Sequence, residues 1–266
     1  MKKNNLIILK IGGSVITDKK NDNKKINRKI LRRISREIAW AQKEKNFALI
    51  IVHGVGPFGH KLAKKFNLHK GYKNNLQIKA LSEIYESLQK LNTEIGIYLK
   101  KEKVNTVSFK QSSAWMLENK RLINADLSII KKHLDFGIVP ILHGDVLMDT
   151  KLGFSVLSGD QIVSYLAKKL TAKKVVVGTD VDGVFNNDPK LDKHAKIIKM
   201  FNSQHKDKLS LGGSISTDVT GGMKGKIDEL IELSKFGIES EIINIAKPNI
   251  LKKSLYGKNG LGTIIK

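Results

Sequence analysis

Leu6-Ile7-Ile8-Leu9-Lys10-Ile11-Gly12-Gly13-Ser14 is the stretch that decides the fold. A short apolar run stopped by glycines reads as a buried strand that feeds a tight turn. Lysine is rarely fully buried, so Lys10 on the strand itself marks a place where an anion meets the sheet. The plainer alternative is a lysine whose ammonium snorkels from a strand edge. Gly12 and Gly13 favour the first reading, because without side chains they let backbone N–H groups approach an anion closely.

Outward from this stretch, apolar runs alternate with segments of helical period. Residues 27–45 place Ile30, Leu31, Ile34, Ile38 and Ala41 on one helical face with Lys and Arg between them. Residues 48–52 form a second, wholly apolar strand, which predicts a central position. A short helix begins at His60, and a long one over 77–100 carries Ile78, Leu81, Ile84, Leu88, Leu91 and Ile95. A strand over 104–109 leads into a hairpin near 115–117 and 121–123. Asp126 can cap a helix that ends before Gly137. Strands follow at 138–142, 174–178, 241–245 and 261–265, with helices over 158–170 and 220–236. The polar stretch 186–211 predicts a mobile loop. This alternation is the pattern of an α/β protein with a mostly parallel sheet covered by helices. We read it as one domain over 1–266, with a soft internal boundary near 171–173.

Composition narrows the classes. The 266 residues contain no cysteine, which excludes disulfides and thiolate chemistry. No apolar run approaches the roughly 20 residues of a membrane span. The early Lys10 also interrupts the first run before it could serve as a signal peptide. The expectation is a cytoplasmic protein with no membrane partner. A formal charge of +23 could announce a nucleic-acid partner. The lysines are scattered, however, and aromatic residues make up only 6% of the chain, so they read as solvent-facing. No nucleic-acid partner is expected.

Four glycine loops lie where open α/β sheets bind ligands, beyond the carboxyl ends of strands. The first is the one quoted above. In the second, His53-Gly54-Val55-Gly56-Pro57-Phe58-Gly59-His60, the glycines match the dinucleotide pattern G-x-G-x-x-G. Pro57 stiffens that turn, and no strand ending in an acid follows about 20 residues on, as a dinucleotide site requires. An anion site before a helix remains, with His60 as a possible phosphate donor or a plain surface histidine. The third, Ser158-Gly159-Asp160, opens a helix. Asp160 either steadies that helix or holds neighbouring lysines. The fourth, residues 218–226, ends Gly221-Gly222-Met223-Lys224-Gly225-Lys226 and is not a Walker A loop. Lys226 near that helix start opposes the helix dipole, which points to a compensating anion. In the turn 179–185, Asp180 and Asp182 could orient a nucleotide or metal, or simply form the turn.

In order, LKIGGSVITDK (9–19), FGH (58–60), HGD (143–145), SGDQ (158–161), TDVDGVF (179–185) and DVTGGMKGK (218–226) resemble the amino acid kinase superfamily, closest to its isopentenyl phosphate kinase branch. The resemblance covers nearly the whole chain. It implies a three-layer αβα sandwich with a mostly parallel central sheet, with an acceptor-binding lobe over 1–170 and an ATP-binding lobe over 171–266. It further implies ATP and Mg²⁺ as cofactors, the metal carried on the ATP phosphates, and a homodimer. The activity implied is ATP-dependent phosphorylation of isopentenyl phosphate in isoprenoid biosynthesis by a mevalonate-type route. Lys10, Gly12, Gly13, Ser14, Gly56, Asp180, Gly222 and Lys226 would then hold ATP. Val55, His60 and Gly159 would hold the substrate phosphate. Lys10, Lys19, Asp160 and Lys226 would be the catalytic set, with Asp160 bridging Lys10 and Lys226 and Lys19 stabilising the transition state. The family usually reads His-Gly-Gly-Gly where this chain has Val55. Little changes if Val55 offers only its N–H, whereas a side chain crowding the loop would disturb the phosphate. Fosfomycin kinase is the nearest alternative, and a basic nucleic-acid-binding or sensor protein is the alternative from another class.

Overall fold

The computed structural model describes residues 5–18, 24–187, 192–202 and 222–266. Its strands in chain order are β1 (Leu6–Ile11), β2 (Ala48–His53), β3 (Thr106–Ser108), β4 (Met116–Glu118), β5 (Arg121–Ile123), β6 (Val139–His143), β7 (Asp145–Asp149), β8 (Gly153–Leu157), β9 (Lys174–Thr179), β10 (Met200–Phe201), β11 (Glu239–Asn244) and β12 (Thr263–Ile265). The helices are α1 (Gly13–Ile16), α2 (Arg28–Glu44), α3 (His60–Lys65), α4 (Leu76–Lys101), α5 (Ser128–Asp135), α6 (Gly159–Leu170), α7 (Gly222–Ser234) and α8 (Ile250–Tyr256).

The main sheet has eight strands in the order β10-β12-β11-β9-β1-β2-β6-β3. Every pairing in it is parallel except β11 with β12. The expected parallel α/β architecture is what forms, and β1 and β2 lie well inside the sheet as their apolar runs require. Strand alternation sorts the core into two layers. Ile7, Leu9 and Ile11 face α2, α4 and α8, whereas Leu6 and Ile8 face α5, α6 and α7. Lys10 follows Leu6 and Ile8 in that alternation. The ammonium is therefore delivered to the side where α6 and α7 begin.

Three differences from the sequence reading have physical causes. First, a four-stranded sheet, β5-β4-β7-β8, accompanies the main one. The β7–β8 hairpin gave no strand signal because two aspartates and a glycine interrupt its apolar pattern. Asp149 organises the β7–β8 turn and the β4–β5 turn beside it, accepting from the N–H groups of Asn119 (3.0 Å), Lys120 (2.8 Å), Lys151 (3.0 Å) and Leu152 (3.1 Å) and from Ser155 Oγ (2.8 Å). Second, part of 186–211, read as a loop, joins the sheet edge. Phe201 is fully buried and Met200–Phe201 pairs with β12. Third, α8 was not anticipated. Its start is tied down by the buried Glu37, which accepts from Asn249 N and Lys252 N, both at 3.0 Å. The expected cap is displaced: Leu127 stands at the N-cap of α5 without a side-chain bond, and Asp126 forms a local turn just before it, its Oδ1 accepting from Ser128 N at 2.8 Å. Gly137 ends that region at φ +70°. Among the described residues no helix is long and apolar enough to cross a membrane.

Candidate active site

Two glycine loops meet backbone to backbone at the carboxyl ends of β1 and β2. A Cβ built on Gly13 would lie 2.6 Å from Gly56 N, and one on Gly54 would strike Gly13 N. Any side chain at either position would drive the loops apart. Gly12 closes on the neighbouring strand instead, donating its N–H to Gly178 O at 2.8 Å. Gly56 adopts φ +48°, a conformation glycine takes freely. The result is a cradle of amides. Among the described residues, the N–H groups of Gly13, Ser14, Val55, Gly56 and Gly159 donate to no protein acceptor. Free amides of this kind at turns and helix starts are an anion site in waiting.

The charges stand beside the cradle. Lys10 Nζ is 3.2 Å from Asp160 Oδ1, and Lys226 Nζ is 3.3 Å from the same oxygen. All three side chains are at most 13% exposed. Ser158 caps α6 by accepting from Gln161 N at 3.1 Å, which sets Asp160 in the first turn. Asp160 therefore does bridge the two lysines from α6 to β1 and α7. Burial pulls the Lys10 ammonium down to about 8, against the attraction of Asp160 and with the help of Lys226. Burial likewise pushes Asp160 up, but the two ammonium groups, Lys10 foremost, outweigh it and hold the carboxylate below its usual range. A cluster poised this way would welcome an anion, which would favour the charged form of Lys10.

Ser14 reaches across to the turn after β9, its Oγ donating to Asp180 Oδ1 at 2.8 Å. That links the first glycine loop to the turn expected beside a nucleotide. Asp182 has a different employment. Lys247 Nζ lies 2.6 Å from its Oδ1 and Asn244 Nδ2 donates to the same atom at 2.9 Å, so it forms the turn and its neighbour loop. The Lys247 contact holds Asp182 below the usual carboxylate range. Gly222 opens α7 at φ +58°, one turn before Lys226. His60 opens α3 and is half-buried.

Val55 poses no obstacle. The residue is 8% exposed and its side chain belongs to the core. A Cβ on Gly59 would come within 2.7 Å of Val55 Cγ2, and one on Gly144 within 3.7 Å of Cγ1. The isopropyl group fits because both neighbours are glycines, leaving the backbone N–H as what Val55 offers. Of the site residues expected from sequence, Lys10, Gly12, Gly13, Ser14, Val55, Gly56, Gly159, Asp160, Asp180 and Lys226 come together in this region. Lys19 lies outside the described residues. Sequence reasoning overlooked what lies underneath. His53, Gln111, His143 and Asp145 are all buried at the ends of β2 and β6, and Gln111 Nε2 donates to the His143 carbonyl. The repeated His-Gly dipeptides at 53–54 and 143–144 were the available signal.

A parallel αβα fold with glycine loops, two buried lysines and a bridging carboxylate defines a phosphate-binding α/β protein of the phosphotransferase kind. The chain belongs to the amino acid kinase family, whose model matches residues 5–244. Among its relatives, the isopentenyl phosphate kinase of Methanothermobacter thermautotrophicus is 39% identical over 268 residues, covering 98% of each chain. That of Methanocaldococcus jannaschii is 38% identical over 264 residues, 95% of this chain and 96% of the relative. A solved structure of an isopentenyl phosphate kinase superposes with a TM-score of 0.85 at 35% identity, covering 98% of this chain and all of the other.

Proposed function

We propose that the chain transfers the γ-phosphoryl group of ATP to the phosphate of isopentenyl phosphate, giving isopentenyl diphosphate. The observation that carries this reading is the convergence of both glycine loops on the Lys10–Asp160–Lys226 cluster. Relatives matched over nearly their whole length bear the corresponding name.

The reaction asks for no general base. A phosphate monoester, with a second pKa of about 6, is mostly dianionic at neutral pH and supplies its own nucleophilic oxygen. The difficulty is to bring two polyanions together, and positioned donors and cations meet it. Lys10, Lys226 and the amides of Gly13, Ser14, Gly56 and Gly222 would gather the ATP phosphates, with Asp180 beside the nucleotide; Gly12, whose N–H is spent on Gly178 O, would let the phosphates approach only by lacking a side chain. Val55 N–H, Gly159 N–H and His60 would seat the acceptor phosphate. Asp160 would hold both lysines in place without touching substrate, and Lys19 would stabilise the transition state. Mg²⁺ would supply further charge neutralisation. It would be carried on the ATP phosphates. The division into an acceptor lobe (1–170), an ATP lobe (171–266) and a homodimeric assembly belongs to the same proposal.

An ADP-release assay over isopentenyl phosphate, dimethylallyl phosphate, fosfomycin and UMP tests it. Isopentenyl phosphate should give the highest kcat/KM. A preference for fosfomycin or UMP would overturn the assignment while leaving the family intact.

A further inference from the structure

Two neighbouring strands end in the same way. β2 closes on His53-Gly54 and β6 on His143-Gly144, and the register sets His53 directly beside His143. Their rings lie 5.3 Å apart at 40°, with residue exposures of 0% and 3%. In each, Nδ1 faces the carbonyl oxygen of the following glycine, at 3.1 Å for Gly54 and 2.9 Å for Gly144. A carbonyl can only accept, so Nδ1 carries the proton in both rings. His53 Nε2 is then a lone-pair acceptor, and it is buried without a partner. Burial, with His143 alongside, pulls His53 down to about 3, so the ring stays neutral at any working pH. A neutral, sequestered imidazole is no acid or base for the chemistry. Its backbone contact is the glycine carbonyl, with the Asn92 side chain also close to the ring.

That contact has a geometric consequence. In a planar trans peptide the C=O of one residue and the N–H of the next point in opposite directions. Gly54 is held on its other side too, since its N–H donates to Ile11 O at 2.7 Å. Fixing the Gly54 carbonyl therefore fixes the direction of Val55 N–H, a donor with no protein acceptor among the described residues. The second His-Gly turn shows the same brace used structurally. There the peptide after Gly144 leads straight into β7, where Asp145 pairs with Leu157. The brace is common to both turns, and the first leads into a loop and not into a strand.

We propose that His53 is a positioning residue for the acceptor phosphate, its Nδ1–H holding the Gly54 carbonyl so that Val55 N–H is aimed at the phosphate. This rests on the phosphate-acceptor reading above. In His53→Leu, KM for isopentenyl phosphate should rise about tenfold, the loss of one aimed hydrogen bond, while kcat and KM for ATP change by less than about twofold. His53→Asn, whose Nδ2 can stand where Nδ1 stood, should recover to within about threefold, whereas His53→Gln should not. An unchanged acceptor KM in folded His53→Leu, or an Asn variant as poor as the Gln variant, overturns the proposal. The Asn and Gln pair decides the matter if the Leu variant fails to fold. A second readout does not depend on which acceptor is correct: the Val55 amide in a ¹⁵N-valine spectrum titrated with inorganic phosphate. It should move in the unaltered protein and in His53→Asn and stay still in His53→Gln. If isopentenyl phosphate is not turned over yet Val55 responds in this pattern, the substrate reading fails and the positioning role stands. An amide that ignores phosphate in the unaltered protein sinks the positioning role itself.

Discussion

Lys10 and Lys174 sit on adjacent strands, each paired with a carboxylate, and their surroundings could hardly differ more. At the start of β9, Lys174 Nζ lies 2.8 Å from Glu241 Oε2 and donates to Asn259 Oδ1 at 2.7 Å. Glu241, fully buried, also accepts from Leu261 N at 2.8 Å and Ser254 Oγ at 3.3 Å. One cation meets one anion, and neutral donors complete the set. At the other end of the sheet, two ammonium groups converge on the single carboxylate of Asp160 beside a cradle of open amides. A buried charge that is balanced and fully hydrogen-bonded holds a fold together. Lysines crowded onto one carboxylate beside unfilled N–H groups are instead arranged for an anion that has yet to arrive.

Replacing each lysine in turn should separate these two roles. Lys10→Met should lower kcat/KM for ATP about a thousandfold, the scale of losing a donor aimed at transition-state charge. Its melting temperature should hold steady or rise, because a buried ammonium under strain has been removed. Steady-state ADP release and thermal melting together read the outcome. Near-normal turnover would take Lys10 out of the mechanism. A large melting-temperature drop would make it as structural as Lys174.

Glu241→Gln should do the reverse. It leaves the half-buried Lys174 ammonium without its counter-charge, which costs about 2–3 kcal/mol, less than for a fully buried pair. Activity per folded molecule should be unchanged. Denaturant titration and active-site-normalised turnover measure the two quantities, and a selective loss of turnover would give Glu241 a catalytic role in place of a structural one.

The two ends also differ in how pH should act. Lys10 is held down to about 8, so its charged form is present below that pH and lost as pH rises through it. kcat/KM for ATP, which reports the free enzyme, should therefore fall on an alkaline limb near pH 8. Asp160 is what raises Lys10 against its burial, so Asp160→Asn should move that limb to lower pH. A limb that stays in place would mean that another group titrates there.

Much of this arrangement was readable in the sequence, for identifiable reasons. Strand β1 announced itself because an apolar run ended in two glycines. The lysine inside it was informative because burying an unpaired ammonium is costly. Glycine loops are legible because close backbone approach admits no other residue, as the fit of Gly13 against Gly56 shows. Lys174 and Glu241 gave no such signal. Both look like ordinary surface charges in a basic chain, and only the path of β11 and β12 brings them together. The β7–β8 hairpin was hidden for a related reason, since Asp149 satisfies backbone N–H groups from two separate turns. His53 was in plain view within its motif, but its role depends on a ring orientation that no spacing encodes.

Val55 is where sequence and structure can be set against each other most directly. Sequence left two possibilities, a crowding side chain or a bare N–H. The side chain packs into the core between Gly59 and Gly144, so only the N–H faces the task. With φ at −97°, alanine fits the same backbone. Val55→Ala should then cost about 1–2 kcal/mol of stability through two lost buried methyl groups. KM for the acceptor should stay within about twofold, because the amide is retained and still braced by His53. If acceptor KM instead moved as far as in the His53 variants, the isopropyl group would be shaping the phosphate site after all. The loop would then owe its geometry to packing and not to the imidazole beneath it.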